Sequence, residues 1–100
     1  MGKKVYFAGS IRGGRQDAEL YKQDTSWLRE SDVVIAECTT PSLGVGYELA
    51  YAEAHGIPVH IFYCKSRTKL SAMLTGNKYF QIHPYKDEGE IYPLIDAILQ

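Results

Sequence analysis

Hydrophobic residues along this chain of 100 residues fall into two kinds of pattern, short continuous runs and spaced one-sided repeats. Residues 4–8 (KVYFA) are β-branched and aromatic and stop at Gly9-Ser10, which predicts a strand. Residues 32–37 (DVVIAE) form a second run, continuously apolar in the way of parallel strands buried on both faces. Residues 57–63 (IPVHIFY) predict a third, with Pro58 near the start, where a missing N–H is tolerated. A weaker fourth covers 79–83 (YFQIH). Between them lie helical spacings. Residues 14–30 are polar with Ala18, Tyr21, Trp27 and Leu28 interspersed, as one helix or two. Residues 45–55 put Val45, Leu49 and Ala52 on one face and end at Gly56, a good helix stop. Residues 67–75 bring Leu70, Met73 and Leu74 together, and 88–99 repeat Ile91, Leu94, Ile95 and Ile98, with Pro93 early enough for a first turn.

Strands alternating with helices predict an α/β fold: a single doubly wound, flavodoxin-like parallel sheet of about four strands flanked by helices. The length leaves room for one domain, residues 1–100, with a modest core that dimerisation would help. No internal repeat, linker or low-complexity segment appears. In such sheets ligands bind beyond the carboxyl ends of the strands, so the loops after Ala8 and Glu37 draw attention.

The first loop is Gly9-Ser10-Ile11-Arg12-Gly13-Gly14-Arg15. Glycines let backbone N–H groups turn toward an anion, and Ser10, Arg12 or Arg15 add donors, so a phosphate site competes evenly with an ordinary glycine-rich turn. Neither GxxxxGK[ST] nor GxGxxG is present. The second loop runs Thr39-Thr40-Pro41-Ser42-Leu43-Gly44-Val45-Gly46-Tyr47-Glu48-Leu49 and opens a helix. Glu48 falls in the first turns, about 60° from the centre of the apolar face. Taken singly it could be an acid that merely improves the helix. Asp24 could likewise be a capping or solvated residue, and Tyr6 a core residue.

Composition narrows the class. The shares of 45% hydrophobic and 23% charged residues suit a globular protein, and a net charge of −1 argues against a nucleic-acid-backbone binder. Cys38 and Cys64 make neither a disulfide framework nor a zinc site and read as reduced thiols. No apolar run approaches the ~20 residues of a membrane span, and no signal peptide is evident. Met1-Gly2 begins like a myristoylation site, but Phe7 stands where that motif wants Ser or Thr. The expectation is a cytoplasmic domain without membrane or nucleic-acid partner.

Taken together these segments resemble a known family. Residues 6–15 (YFAGSIRGGR) resemble the N-terminal motif of the 2'-deoxynucleoside 5'-phosphate N-hydrolases, within the nucleoside 2-deoxyribosyltransferase superfamily. Residues 31–37 (SDVVIAE), running on through PSLGVGYEL, resemble their second signature, and Leu70-Ser71-Ala72-Met73 their third. The resemblance implies hydrolysis of the N-glycosidic bond of a 2'-deoxynucleoside 5'-monophosphate, without metal or cofactor. It implies Glu48 as nucleophile at C1', Asp24 as the carboxylate that assists departure of the base, and Tyr6 as the residue that positions carboxylate and sugar. It implies a substrate and 5'-phosphate cradle of Gly9, Ser10, Ile11, Arg12, Gly13, Gly14, Ser42 and Gly44. Ser71, with Met73 beside it, would reach the same phosphate across a homodimer interface.

Two details qualify the likeness. In the superfamily's transferases the place six residues before the nucleophile is usually acidic, whereas Ser42 can donate to a phosphate. That favours nucleotide hydrolysis over base exchange between nucleosides. The family also normally has several tens of residues between the positions of Gln23 and Asp24: the rest of a first helix, an edge strand, and a loop and helix over the site. Their absence would expose the first strand and put base selectivity in doubt. A base-exchanging transferase and a catalytically weak nucleotide-binding module therefore stand as alternatives, with a flavin binder a poor third.

Overall fold

A computed structural model describes residues 3–9 and 17–100. Four strands form one parallel sheet in the order β1 (Val5–Ala8), β2 (Val33–Glu37), β3 (Val59–Cys64), β4 (Gln81–Tyr85). Successive strands are thus neighbours, and β1 and β4 are the edges. Their connections carry α1 (Asp17–Glu30), α2 (Leu43–Ala54) and the short α3 (Ala72–Thr75). A 3-10 turn at Glu88–Glu90 leads into α4 (Ile91–Leu99).

Alternation along the strands separates two cores. Tyr6, Ala8, Val34, Ala36, Val59 and Ile61 point to one face, where they meet Leu28 of α1 and Val45, Leu49 and Ala52 of α2. Ile35, Phe62, Cys64 and Tyr85 point to the other, where Ile91, Ile95 and Ile98 of α4 cover them. Leu28 and Leu49 are fully buried. Truncating either to alanine would cost about 2–5 kcal/mol, so α1 and α2 are firmly seated. The second face is only partly roofed: Phe7 remains 62% exposed beside the open edge of β1.

Several boundaries differ from the sequence expectation. The segment 67–75 is helical only from Ala72. Arg67 and Thr68 N–H groups instead fold back onto the Cys64 carbonyl at 3.0 and 3.2 Å, and the Ser71 hydroxyl accepts from Met73 N–H to start the short helix. Gly76 closes it, where a Cβ would lie 2.9 Å from the Ala72 carbonyl oxygen. β4 begins two residues later than 79–83 suggests, because Phe80 turns into the core and the Tyr79 hydroxyl donates to the Ile57 carbonyl at 2.6 Å. Pro84 is borne within β4 because that strand is an edge. Gly56, at φ +70°, supplies the left-handed stop after α2. Residues 17–30 form one helix, unbroken between Gln23 and Asp24, where the resemblance anticipates an absent segment.

Candidate active site

Three elements on the α1/α2 side of the sheet converge on one polar cluster. Tyr6 leaves β1 toward this face and is buried. Glu48 lies four residues before the fully buried Ala52, and Asp24 four before Leu28, so each carboxylate sits on the inward side of its helix. The Tyr6 hydroxyl donates to Glu48 Oε2. Asp24 approaches closely enough to act on both by hydrogen bond and by charge.

Electrostatics follow from this crowding. Burial pushes the Glu48 carboxyl up to about 7, and the hydrogen bond and charge of Asp24 push in the same direction. The Tyr6 hydrogen bond opposes them by favouring the anion. Burial also raises the Tyr6 hydroxyl well above its ordinary range, assisted by its bond to Glu48. It therefore stays protonated and serves as a donor. Two carboxyls beside a fixed phenol can divide nucleophilic and acid roles between them.

Ser42 stands at the mouth of α2 as its N-cap, in an extended conformation, its hydroxyl oxygen accepting from Val45 N–H at 3.2 Å. The hydroxyl proton is not used by that bond. Gly44 follows in the first turn, and among the described residues an added Cβ would touch only Ser42 Oγ, at 3.8 Å. Gly9 follows β1, and no described residue lies within 4 Å of a Cβ added there. Ser10, Ile11, Arg12, Gly13 and Gly14 lie outside the described residues. Ser71 and Met73 are both exposed at α3, and the bond made by the Ser71 hydroxyl caps that helix. Neither is hydrogen-bonded to Tyr6, Asp24, Glu48 or Ser42 within the described chain.

Other features went unread in the sequence. Tyr21 of α1 and Tyr47 of α2 approach with ring centroids 6.2 Å apart, Tyr47 is 6.4 Å from Tyr51, and Tyr51 stacks on His55 at 4.1 Å. Arg29 Nη1 donates to the Tyr51 hydroxyl at 2.7 Å, tying the two helices that carry Asp24 and Glu48. The repeated tyrosines at 47 and 51, one helical turn apart, were the available signal. Two clefts flank β1. One of about 340 Å³ runs along its open edge past Tyr6, Phe7 and Trp27; one of about 510 Å³ lies on the α4 face between Phe7, Phe62, Tyr85 and Tyr92. Glu48 lines neither. Cys38 and Cys64 are both free thiols. Among the described residues no three His, Cys, Asp or Glu gather to hold a metal, and no helix is long and apolar enough to cross a membrane.

Comparison with known proteins places the chain in a family. The family model described as nucleoside 2-deoxyribosyltransferase matches residues 7–81. A protein of Syntrophotalea carbinolica, classed by name as a candidate 2'-deoxynucleoside 5'-phosphate N-hydrolase 1, is 32% identical, covering 96% of this chain and 94% of its own. The 5-hydroxymethyl-dUMP N-hydrolase of Rattus norvegicus is 37% identical, covering 96% of this chain and 84% of its own. The first alignment spans 133 positions yet takes in 96% of 100 residues, so about 37 residues of that relative have no counterpart here. In fold, the chain is similar to the Clostridium botulinum CMP N-glycosidase BcmB, with a TM-score of 0.67 and 22% identity over 79% of this chain and 73% of that one. The chain belongs to the nucleoside 2-deoxyribosyltransferase family, as an N-glycosidase related to its nucleotide N-hydrolases.

Proposed function

We propose that this chain hydrolyses the N-glycosidic bond of 2'-deoxynucleoside 5'-monophosphates, releasing the free base and 2-deoxyribose 5-phosphate, with Glu48 as nucleophile. The observation that carries the reading is the convergence of Tyr6, Asp24 and Glu48 from three separate elements. In its ionised form Glu48 attacks C1' as the bond to the base breaks, and its charge stabilises the oxocarbenium character that develops there. Asp24 passes a proton to the departing base. The Tyr6 hydroxyl holds the attacking carboxylate in place. Water, activated by the now ionised Asp24, then opens the glycosyl ester and returns the proton, so configuration at C1' is retained. A 2'-deoxy sugar suits this route because no electron-withdrawing hydroxyl opposes the developing charge.

The hydroxyl proton of Ser42, which the bond from Val45 N–H does not use, supports a 5'-phosphate contact at the N-terminus of α2. Gly9 and the run Ser10-Ile11-Arg12-Gly13-Gly14 complete the cradle in this reading, and the working form is a cytoplasmic homodimer whose Ser71 and Met73 serve the neighbour's site.

Product analysis tests the proposal. The protein is incubated with the four common deoxynucleoside monophosphates, their ribose counterparts and the free deoxynucleosides. Free base with 2-deoxyribose 5-phosphate is expected from the first set. Base exchange with an added purine or pyrimidine acceptor would instead establish a transferase. Binding without any release of base would establish a nucleotide-binding module, a reading favoured by the segment of about 37 residues that has no counterpart here.

A further inference from the structure

We propose that Thr39, gripped by Glu37 and Tyr85, is a positioning residue for the phosphate end of the site. The proposal rests on the reading of Ser42 as a phosphate contact. Glu37 ends β2 with its side chain on the α4 face, away from Glu48. Its two carboxylate oxygens take three donors: Thr39 N–H at 2.6 Å, the Thr39 hydroxyl at 2.9 Å, and the Tyr85 hydroxyl from the end of β4. Thr39 Oγ1 in turn accepts from Cys64 N–H at 2.9 Å, at the end of β3. Cys38 N–H donates to the Phe62 carbonyl at 2.8 Å. The chain leaving β2 is thereby bolted to the carboxyl ends of both β3 and β4.

Only Thr40 and Pro41, both exposed, separate this bolt from Ser42, the N-cap of α2. The loop hangs between two fixed points, so the Ser42 hydroxyl is held from the Thr39 side as well as by its place at the start of α2. A strand end needs no such bracket for its own sake, since its N–H groups could turn to water. Four side-chain bonds made by Glu37 and Thr39, where the chain leaves β2 for the helix of the nucleophile, point instead to preorganisation.

Thr39→Val removes the hydroxyl at nearly constant shape, and Thr39→Ser restores it. Calorimetric titration with 2-deoxyribose 5-phosphate, against 2-deoxyribose as control, reads the phosphate contact without needing turnover. Amide exchange at Cys64 and at residues 44–46 reads the loop itself. Thr39→Val is expected to weaken the sugar phosphate about tenfold and to speed exchange at both places, while Thr39→Ser stays within about threefold of wild type. Tyr85→Phe, a second variant should Thr39→Val not fold, is expected to lose about threefold. Unchanged phosphate affinity in Thr39→Val, or equal losses in the valine and serine variants, overturns the proposal. If the wild type binds 2-deoxyribose as well as its phosphate, the reading of Ser42 has failed. The exchange data then decide: unaltered exchange at residues 44–46 in Thr39→Val overturns the positioning role, and faster exchange upholds it.

Discussion

The Tyr6 hydroxyl donates to the Glu48 carboxylate across the seam between β1 and α2, and that one bond favours the ionised form of a carboxyl that burial and Asp24 push toward neutrality. Removing it by Tyr6→Phe should raise the Glu48 value above about 7. Since attack needs the anion, wild-type kcat/KM should fall as pH drops through about 7, and the variant's acid limb should lie at higher pH. An acid limb that does not move would dissociate the bond from catalysis.

Glu48→Gln keeps shape and removes the anion. Turnover should fall by several powers of ten, on the order of other lost nucleophiles. The same exchange makes a stability forecast of known sign. The folded value of Glu48 is raised from 4.5 to about 7, so the wild type loses stability as pH rises through that interval. The glutamine variant escapes this loss and should melt no lower than wild type at pH 8. Near wild-type turnover would remove Glu48 from the mechanism.

Ser42 caps α2, and in the proposed reading it also contacts the substrate phosphate; one substitution separates the two. Aspartate is a good N-cap, so Ser42→Asp should preserve the start of α2 and the melting temperature. Its negative charge would face the substrate phosphate, and preference for the monophosphate over the nucleoside should fall at least about tenfold. Retained preference, measured as a ratio of kcat/KM values, would place the phosphate elsewhere.

Shared sites can be tested by mixing. Combining Glu48→Gln chains with Ser71→Arg chains, each inactive alone, should restore activity, because a mixed dimer holds one site with both defects and one with neither. No recovery while heterodimers demonstrably form, or an active monomer in sedimentation, would end the shared-site model.

A histidine pair sets an acid limit on stability. His60 Nδ1 lies 3.0 Å from His83 Nε2, and the His83 ring stacks on Phe62 at 4.7 Å. Burial lowers both values below 6.5, and the neighbouring His83 and Lys3 charges lower His60 further. The unfolded chain therefore binds more protons below pH 6.5, so stability present above that value is lost as pH falls through the folded values. Melting temperature should decline from pH 6.5 downward, and His83→Gln should flatten the decline. An equally steep decline in that variant would assign it to other groups.

Much of this was legible in the residues. The runs at 4–8 and 32–37 located β1 and β2 because both are short, largely apolar and bounded by polar residues. Glu48 stands out in the sequence because it falls near the apolar face of its helix. Asp24, readable on its own as a capping or solvated residue, stands out only through the family resemblance. The segment 67–75 misled because Leu70, Met73 and Leu74 satisfy helical spacing while Thr68 and Ser71 favour turns and caps, which decided the outcome. The bracket of Glu37, Thr39 and Tyr85 was hidden for a different reason. Its members are 46 and 48 positions from Tyr85, and only the parallel register brings the strand ends together.

The unbroken course of α1 has a practical meaning. A relative carries about 37 residues with no counterpart here, and α1 runs unbroken through Gln23 and Asp24 and brings Asp24 close to Tyr6 and Glu48. In the proposed reading, the cluster of Tyr6, Asp24 and Glu48 assembles without that extra segment. Transplanting such a segment between Gln23 and Asp24 offers a route to retune which base is accepted while the glutamate, aspartate and tyrosine stay where they are.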